Sequence, residues 1–224
     1  HELLCRRLAE NVENLGQFAK QLPSSIFEAS PAFKSTIKIS LISNLVHPLL
    51  DATIASFHAK YPNIEILVEV DTWSKILDAL LRQEIDIGVA PSLEKRAQLQ
   101  HFAMFSERHR PYCGRGHALY GKKIVEPAKL SDVPFILTGS DEPDQLADFR
   151  MKHGLGKNIA AISAHLEEAK RLTILGVGLC FLPEGFAAPE VATGHLWPFL
   201  GRDKIPSMMI YVISNPKSRA NTAK

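Results

Sequence analysis

No apolar stretch in this 224-residue chain approaches the roughly 20 residues that a membrane-crossing helix needs, which excludes a bundle of bilayer-spanning helices. The opening HELLCRRLAE lacks the apolar core of a secretory signal, so the expected compartment is the cytoplasm, with no membrane partner. Cysteine is scarce. Cys5, Cys113 and Cys180 are odd in number and widely spaced, which argues against a disulfide framework and for free thiols in a reducing compartment. Neither sign of charge forms a block: 26 Lys+Arg nearly cancel 24 Asp+Glu, and no basic footprint for nucleic acid is left over. Metal-ligand spacings such as Cys-x-x-Cys or His-x-x-x-His are missing despite nine histidines, and His101, His109 and His117 fall in different kinds of segment. No metal and no cofactor is expected. Nor can a nucleophile, a base and an orienting group be assembled, so no catalytic residue is assigned and an enzyme is not expected.

What is present is a 46% hydrophobic chain, enough to bury a sizeable core. Leu4, Leu8, Asn11, Leu15, Phe18 and Leu22 alternate in steps of four and three, the pattern of a heptad seam, which predicts a linker or dimerisation helix over residues 1–24. Such a stripe is too narrow to fold alone and must pack on a partner chain or on the rest of this one. Pro23, Ser24, Ser25 and Pro31 mark residues 25–35 as a linker. Then the period changes. IKISLI (37–42) reads as a strand, Leu50, Ile54, Phe57 and Tyr61 as a helix, and NIEILVEV (63–70) as a strand with Ile64, Ile66, Val68 and Val70 on one face. Ile76, Leu77, Leu80 and Leu81 mark another helix, and IDIGVAP a third strand. After SERHRPYCGRGH a second series runs through FIL (135–137), a helix with Leu146 and Phe149, NIAAIS (158–163), a helix around Leu166 to Ile174, and LCFLP (179–183). Alternating strands and helices with short connections predict two parallel α/β lobes, and the late strand SMMIYVIS (207–214) is placed to return to the first.

ILGVGLCFLP (174–183) raises the question of a nucleotide loop. A dinucleotide fingerprint needs a third glycine where Phe181 stands, and it follows a strand and opens a helix, whereas this pair closes a helix and precedes a strand. Gly176 and Gly178 therefore read as a helix C-cap and a tight turn. No Walker A sequence occurs.

Five stretches, in this order and at these separations, "IKISLISNLVHPLL", "FHAKYPNIEILVEV", "LRQEIDIGVAP", "CGRGHALY" and "GVGLCFLP", resemble the effector-binding region of LysR-type transcriptional regulators. The resemblance runs from about Lys38 to the end, and the preceding helix is similar to the family's linker helix. It implies two Rossmann-like lobes of the type 2 periplasmic-binding-protein fold with a small-molecule effector between them. Lobe I would comprise residues 36–105 and 204–224, and lobe II residues 106–203. It further implies a homo-oligomer, dimer or tetramer, packed through the helix from His47 to Lys60 and the helix around Leu166 to Leu175. DNA would be bound only by an N-terminal helix-turn-helix domain that this chain lacks. Cys113 would lie in a strand between the lobes without a redox role, although Arg110, Arg115 and His117 nearby could lower a thiol's pKa.

In open parallel sheets ligands bind beyond the carboxyl ends of the strands. Those turns hold Ser43 and Asn44, then Thr72, then Thr138, Gly139 and Ser140, with Ser163 after a further strand. Their hydroxyls, amides and exposed backbone N–H groups can hold a small polar or anionic metabolite. The competing reading makes the same residues N-caps. The competing function is a stand-alone solute-binding protein or an enzyme on the same two-lobed fold.

Overall fold

Continuous apolar runs become central strands and mixed runs become edges, and that division organises the molecule. The computed structural model of the chain describes residues 36–91, 96–139 and 142–217. The expected heptad helix and linker at residues 1–35, and Ser140, lie outside them. The described residues form two units: one holds residues 36–42, 46–105 and 210–217, the other residues 43–45 and 106–209, each within the described ranges.

In the first unit β1 (Thr36–Leu41), β2 (Glu65–Val70) and β3 (Ile87–Pro91) are parallel in the order β2-β1-β3, and β9 (Ser207–Ser214) runs antiparallel to β3. Helices α1 (Pro48–Lys60) and α2 (Trp73–Leu81) make the crossovers. The α2 stripe Ile76, Leu77 and Leu80 is fully buried against Ile85, Ala90, Leu99 and Ile213. Buried Asn215 donates through Nδ2 to the Leu80 carbonyl at 2.9 Å, satisfying one of the orphan acceptors at the end of α2 and fastening the end of β9 to this unit.

The β2 face departs from expectation. Ile64 is buried, but Val68 and Val70 are 48% and 60% exposed. The strand is the edge of its sheet, and α1 buries only Leu49 and Leu50, leaving Ile54 and Phe57 half-exposed. Alternation on a strand shows which side chains share a face and says nothing about whether anything covers it.

In the second unit β4 (Gln100–Gly114) pairs antiparallel with β7 (Leu179–Pro183) and with β8 (Leu196–Pro198), while β5 (Phe135–Leu137) is parallel to both β7 and β6 (Ile159–Ile162). Helices α3 (Asp144–Lys152), α4 (Leu166–Ile174) and α5 (Glu184–Ala192) complete it. Every residue of LCFLP is buried because the sheet is covered on both faces. Leu179 and Phe181 join Phe135, Leu146 and Phe199 on one side, and Cys180 and Leu182 join Ile136, Leu166 and Ala169 on the other. Helix α5 was not foreseen, since Pro183, Gly185 and Pro189 all punctuate it. Strands β4 and β9 each pass from one unit into the other along the chain.

The glycine pair is structural. Gly176 has φ +82° and follows the α4 C-cap, Leu175; its N–H donates to the Thr173 carbonyl and the Val177 N–H to the Leu172 carbonyl, a Schellman-type close. Gly178 lies so near the Pro134 backbone that a β-carbon would stand 2.8 Å from its carbonyl oxygen.

Candidate functional site

The turns at the carboxyl ends of the parallel strands supply most of the expected ligand residues. The Asp71 N–H donates to the Leu41 carbonyl at 3.1 Å, so the chain leaves β1 and β2 at the same end of the sheet. After β1, Ser43 and Asn44 form a half-buried turn, and Asn44 takes the left-handed conformation, φ +53°, which asparagine tolerates better than most residues. After β2, Thr72 occupies the N-cap position of α2 with extended backbone, yet its side chain makes no capping hydrogen bond. The Thr72 hydroxyl lies 3.3 Å from Ser74 Oγ instead. Asp71 orders this turn: its Oδ1 accepts the Thr72 N–H at 2.8 Å and meets Lys75 Nζ at 2.9 Å. The Lys75 ammonium first, and the Thr72 amide second, hold the Asp71 carboxyl below its ordinary range.

In the second unit Leu137 and Ile162 are paired, and the Ser163 N–H donates to the Leu137 carbonyl at 2.9 Å, which brings Thr138, Gly139 and Ser163 to one end of β5 and β6. Thr138 is only 5% exposed, and its hydroxyl has no partner among the described residues. Gly139 has φ +59° and stands beside Ala164. Ser163 is occupied locally: its Oγ accepts the His165 N–H at 3.2 Å and donates to the His165 carbonyl at 3.1 Å, a turn at the start of α4. The capping alternative thus fails for Thr72, and Ser163, two residues before the α4 N-cap His165, closes a local turn without capping the helix.

Sequence reasoning missed the support under the β5 turn. Glu142, at the end of that turn, takes two hydrogen bonds from Arg150 on α3, each 2.8 Å, and Arg150 also donates to the Leu155 carbonyl at 3.1 Å. An Arg eight residues after a Glu spans a turn and a helix start, and no local periodicity announces such a pair.

Neither described cysteine has the surroundings of a reactive thiol. Cys113 and Cys180 are fully buried, and burial pushes each thiol up to about 12, the direction opposite to activation. Among the described residues no three His, Cys, Asp or Glu side chains gather as a metal site would require, and no helix is long and apolar enough to cross a membrane.

Comparison with known proteins agrees with this arrangement. The LysR substrate binding domain matches residues 32–223. The chain belongs to the LysR substrate-binding-domain family. As a LysR domain it is similar to the HTH-type transcriptional activator BauR of Pseudomonas aeruginosa, 25% identical over 195 residues, covering 84% of this chain and 62% of BauR. It is also similar to the transcriptional dual regulator GltC of Bacillus subtilis, 23% identical over 154 residues, covering 67% of this chain and 51% of GltC. The LysR domain therefore spans between half and two thirds of these regulators. Among solved structures, the C-terminal domain of a probable LysR family regulator from Rhodococcus superposes with a TM-score of 0.66 at 19% identity, covering 84% of this chain and 97% of that one. The BenM effector-binding domain with its effector benzoate superposes with a TM-score of 0.66 at 20% identity, covering 82% and 85%. This LysR domain thus has the fold of LysR effector-binding domains, the type 2 periplasmic-binding-protein fold.

Proposed function

We propose that this domain senses a small polar or anionic metabolite and transmits its binding through the packing of protomers. Ser43, Asn44, Thr72, Thr138 and Gly139 would supply the contacts, with Ser140 and Ser163 beside them. The observation that carries the reading is Thr138, only 5% exposed at the carboxyl end of a parallel strand, whose hydroxyl bonds to none of the described residues. That hydroxyl is not among the buried unsatisfied polar atoms, so it is left to water, which a ligand acceptor or donor would replace. Thr72, released from capping, offers a second hydroxyl of the same kind.

Oligomerisation through α1 and α4 is supported by the apolar surface beside them. Val68 and Val70 on β2, Ile159 and Ile162 on β6, and Leu175 at the end of α4 are all between 48% and 66% exposed. Both strands are sheet edges. A second copy of this chain would cover such faces, as self-complementary surfaces in homo-oligomers do. We read the whole protein as a cytoplasmic regulator that binds DNA through a helix-turn-helix, and the names HTH-type transcriptional activator and transcriptional dual regulator support its role in transcription.

A thermal-shift screen of carboxylates, amino acids and aromatic acids tests the sensing role, because a ligand that binds only the folded state raises the melting temperature. A hit lost in Thr138→Val is the expected result. A hit that binds Thr138→Val unchanged would move the site elsewhere.

A further inference from the structure

Arg108, Arg110 and Tyr112 stand at alternate positions of β4, so they share one face of the strand. Tyr112 is buried there with Ile136, Leu182 and Phe186, which places that face under helix α5. Arg110 is engaged: its Nη1 lies 3.6 Å from the Glu184 carboxylate, and the guanidinium donates to the carbonyls of Phe199 and Leu200. Arg202 meets the same Glu184 carboxylate at 3.0 Å. Arg108 differs from both. Its Nε is buried without a hydrogen-bond partner, and its terminal nitrogens, which bond to none of the described residues, are left to water.

Strand register fixes where that guanidinium stands. Leu182 on β7 pairs with Arg110 on one side, and the pairing of Ile136 with Cys180, carried two residues on, brings Thr138 level with Leu182 on the other. Thr138 comes two residues after Ile136 and Arg108 four before Tyr112, so by alternation both continue the face that Ile136 and Tyr112 bury. Thr138 and Arg108 therefore flank the carboxyl end of β7 on one side of the sheet, about 10 Å apart across the strands and about 7 Å along them at ordinary strand spacings. An arginine side chain closes much of that separation. All of these residues belong to the second unit.

Charge at this end is out of balance. Arg110 and Arg202 share one carboxylate, so the group is positive even before Arg108 is counted. Helix α5 also begins here, and its N-cap, Pro183, makes no side-chain capping bond to its first-turn N–H groups. A planar guanidinium with free donors matches a carboxylate or phosphate through two parallel hydrogen bonds, whereas an ammonium would be repelled.

We propose that Arg108 is the anion-recognising residue of the effector site, its guanidinium taking a carboxylate or phosphate group of a metabolite that also reaches Thr138. The proposal rests on the sensing role given above and adds the residue that selects the ligand's charge.

The test is a titration of the 224-residue chain, at fixed ionic strength, with glutarate, its neutral diamide glutaramide, and inorganic phosphate, followed by NMR of the arginine Nε–H and backbone amide resonances. Glutarate is expected to move the Arg108 Nε–H saturably, together with the amides of Thr138 and Gly139, and to bind roughly tenfold more tightly than glutaramide. Phosphate should move the Arg108 Nε–H as well, and the tighter of the two anions names the preferred oxyanion. Arg108→Gln should abolish the preference for acid over amide, and Arg108→Lys should restore only part of it. The measurements on the unmodified chain do not depend on either variant folding. An Arg108 resonance unmoved by both anions, equal binding of glutarate and glutaramide, or a preference that survives Arg108→Gln would each overturn the proposal. Movement of Thr138 and Gly139 alone, alike with acid and amide, would overturn it while leaving the sensing role standing. Anion binding at Arg108 with Thr138 and Gly139 unmoved would overturn it by separating the guanidinium from the effector turn.

Discussion

Arg150 and Glu142 form a bidentate pair, Nε to Oε1 and Nη2 to Oε2 each at 2.8 Å, with side chains only 14% and 12% exposed. Planar guanidinium against carboxylate is the strongest common geometry for such a contact. It joins the turn after β5 to helix α3, and thereby the Thr138 end of the sheet to the helix behind it. Removing either member leaves a largely buried charge alone. Arg150→Met is expected to lower unfolding stability by about 3 kcal/mol, and Arg150→Lys to restore only part of that because an ammonium cannot match both oxygens. Urea denaturation measures both.

Glu107 and His109 act on stability in opposite directions as pH changes. The Glu107 carboxyl, raised from 4.5 to about 7, keeps its proton in the folded state after the unfolded chain has lost it, so its contribution is full below about pH 4.5 and is lost as pH rises to about 7. His109, lowered from 6.5 to about 4, stays neutral in the folded state while the unfolded chain takes a proton; its contribution is full above about pH 6.5 and is lost as pH falls to about 4. Between about pH 4.5 and 6.5 the two slopes oppose each other. Glu107→Gln should therefore expose a rise in stability with pH of about 3 kcal/mol across the His109 window, and His109→Gln a fall of similar size across the Glu107 window. Chemical denaturation at a series of pH values reads both, and parallel curves for all three proteins would contradict the assignment.

The glycine pair of ILGVGLCFLP predicts a stability effect without a binding effect. Gly176→Ala puts a β-carbon at φ +82° and should cost about 1 kcal/mol. Gly178→Ala pushes a β-carbon to 2.8 Å from the Pro134 carbonyl oxygen, in a crowded place between strands, and should cost about 1–3 kcal/mol. Neither should change binding of inorganic phosphate or a nucleotide, which equilibrium dialysis would check.

Thr72→Val combined with Ser43→Ala should weaken effector binding while melting temperature moves little, since the Thr72 side chain makes no capping bond to lose. A drop in melting temperature with binding intact would return Thr72 to a purely structural role. Calorimetry with the ligand found by screening separates the two outcomes.

The elements with the strongest local pattern were legible in the chain. IKISLI, FIL, LCFLP and SMMIYVIS are strands where the apolar runs lie, because β-branched and aromatic runs bounded by Gly, Pro or Asn have little alternative use. The turns holding Ser43, Thr72 and Thr138 followed from strand ends, and the family from five motifs in order. Helix α5 and the Glu142–Arg150 pair were not legible, the first because prolines and a glycine mask its period, the second because its members meet only after a turn and a helix have formed.

By itself the sequence determined where strands and helices alternate, that Gly176 ends a helix, and that the chain builds parallel α/β units, since each of these depends on residues a few positions apart. Only the tertiary structure decided which apolar faces are covered, leaving Val68 and Val70 exposed, and which polar side chains are drawn into the interior, Thr138, Glu107 and His109 among them. Burial and hydrogen-bond satisfaction depend on segments distant in the chain, such as β4, β9 and α3, and no local pattern encodes where those segments meet.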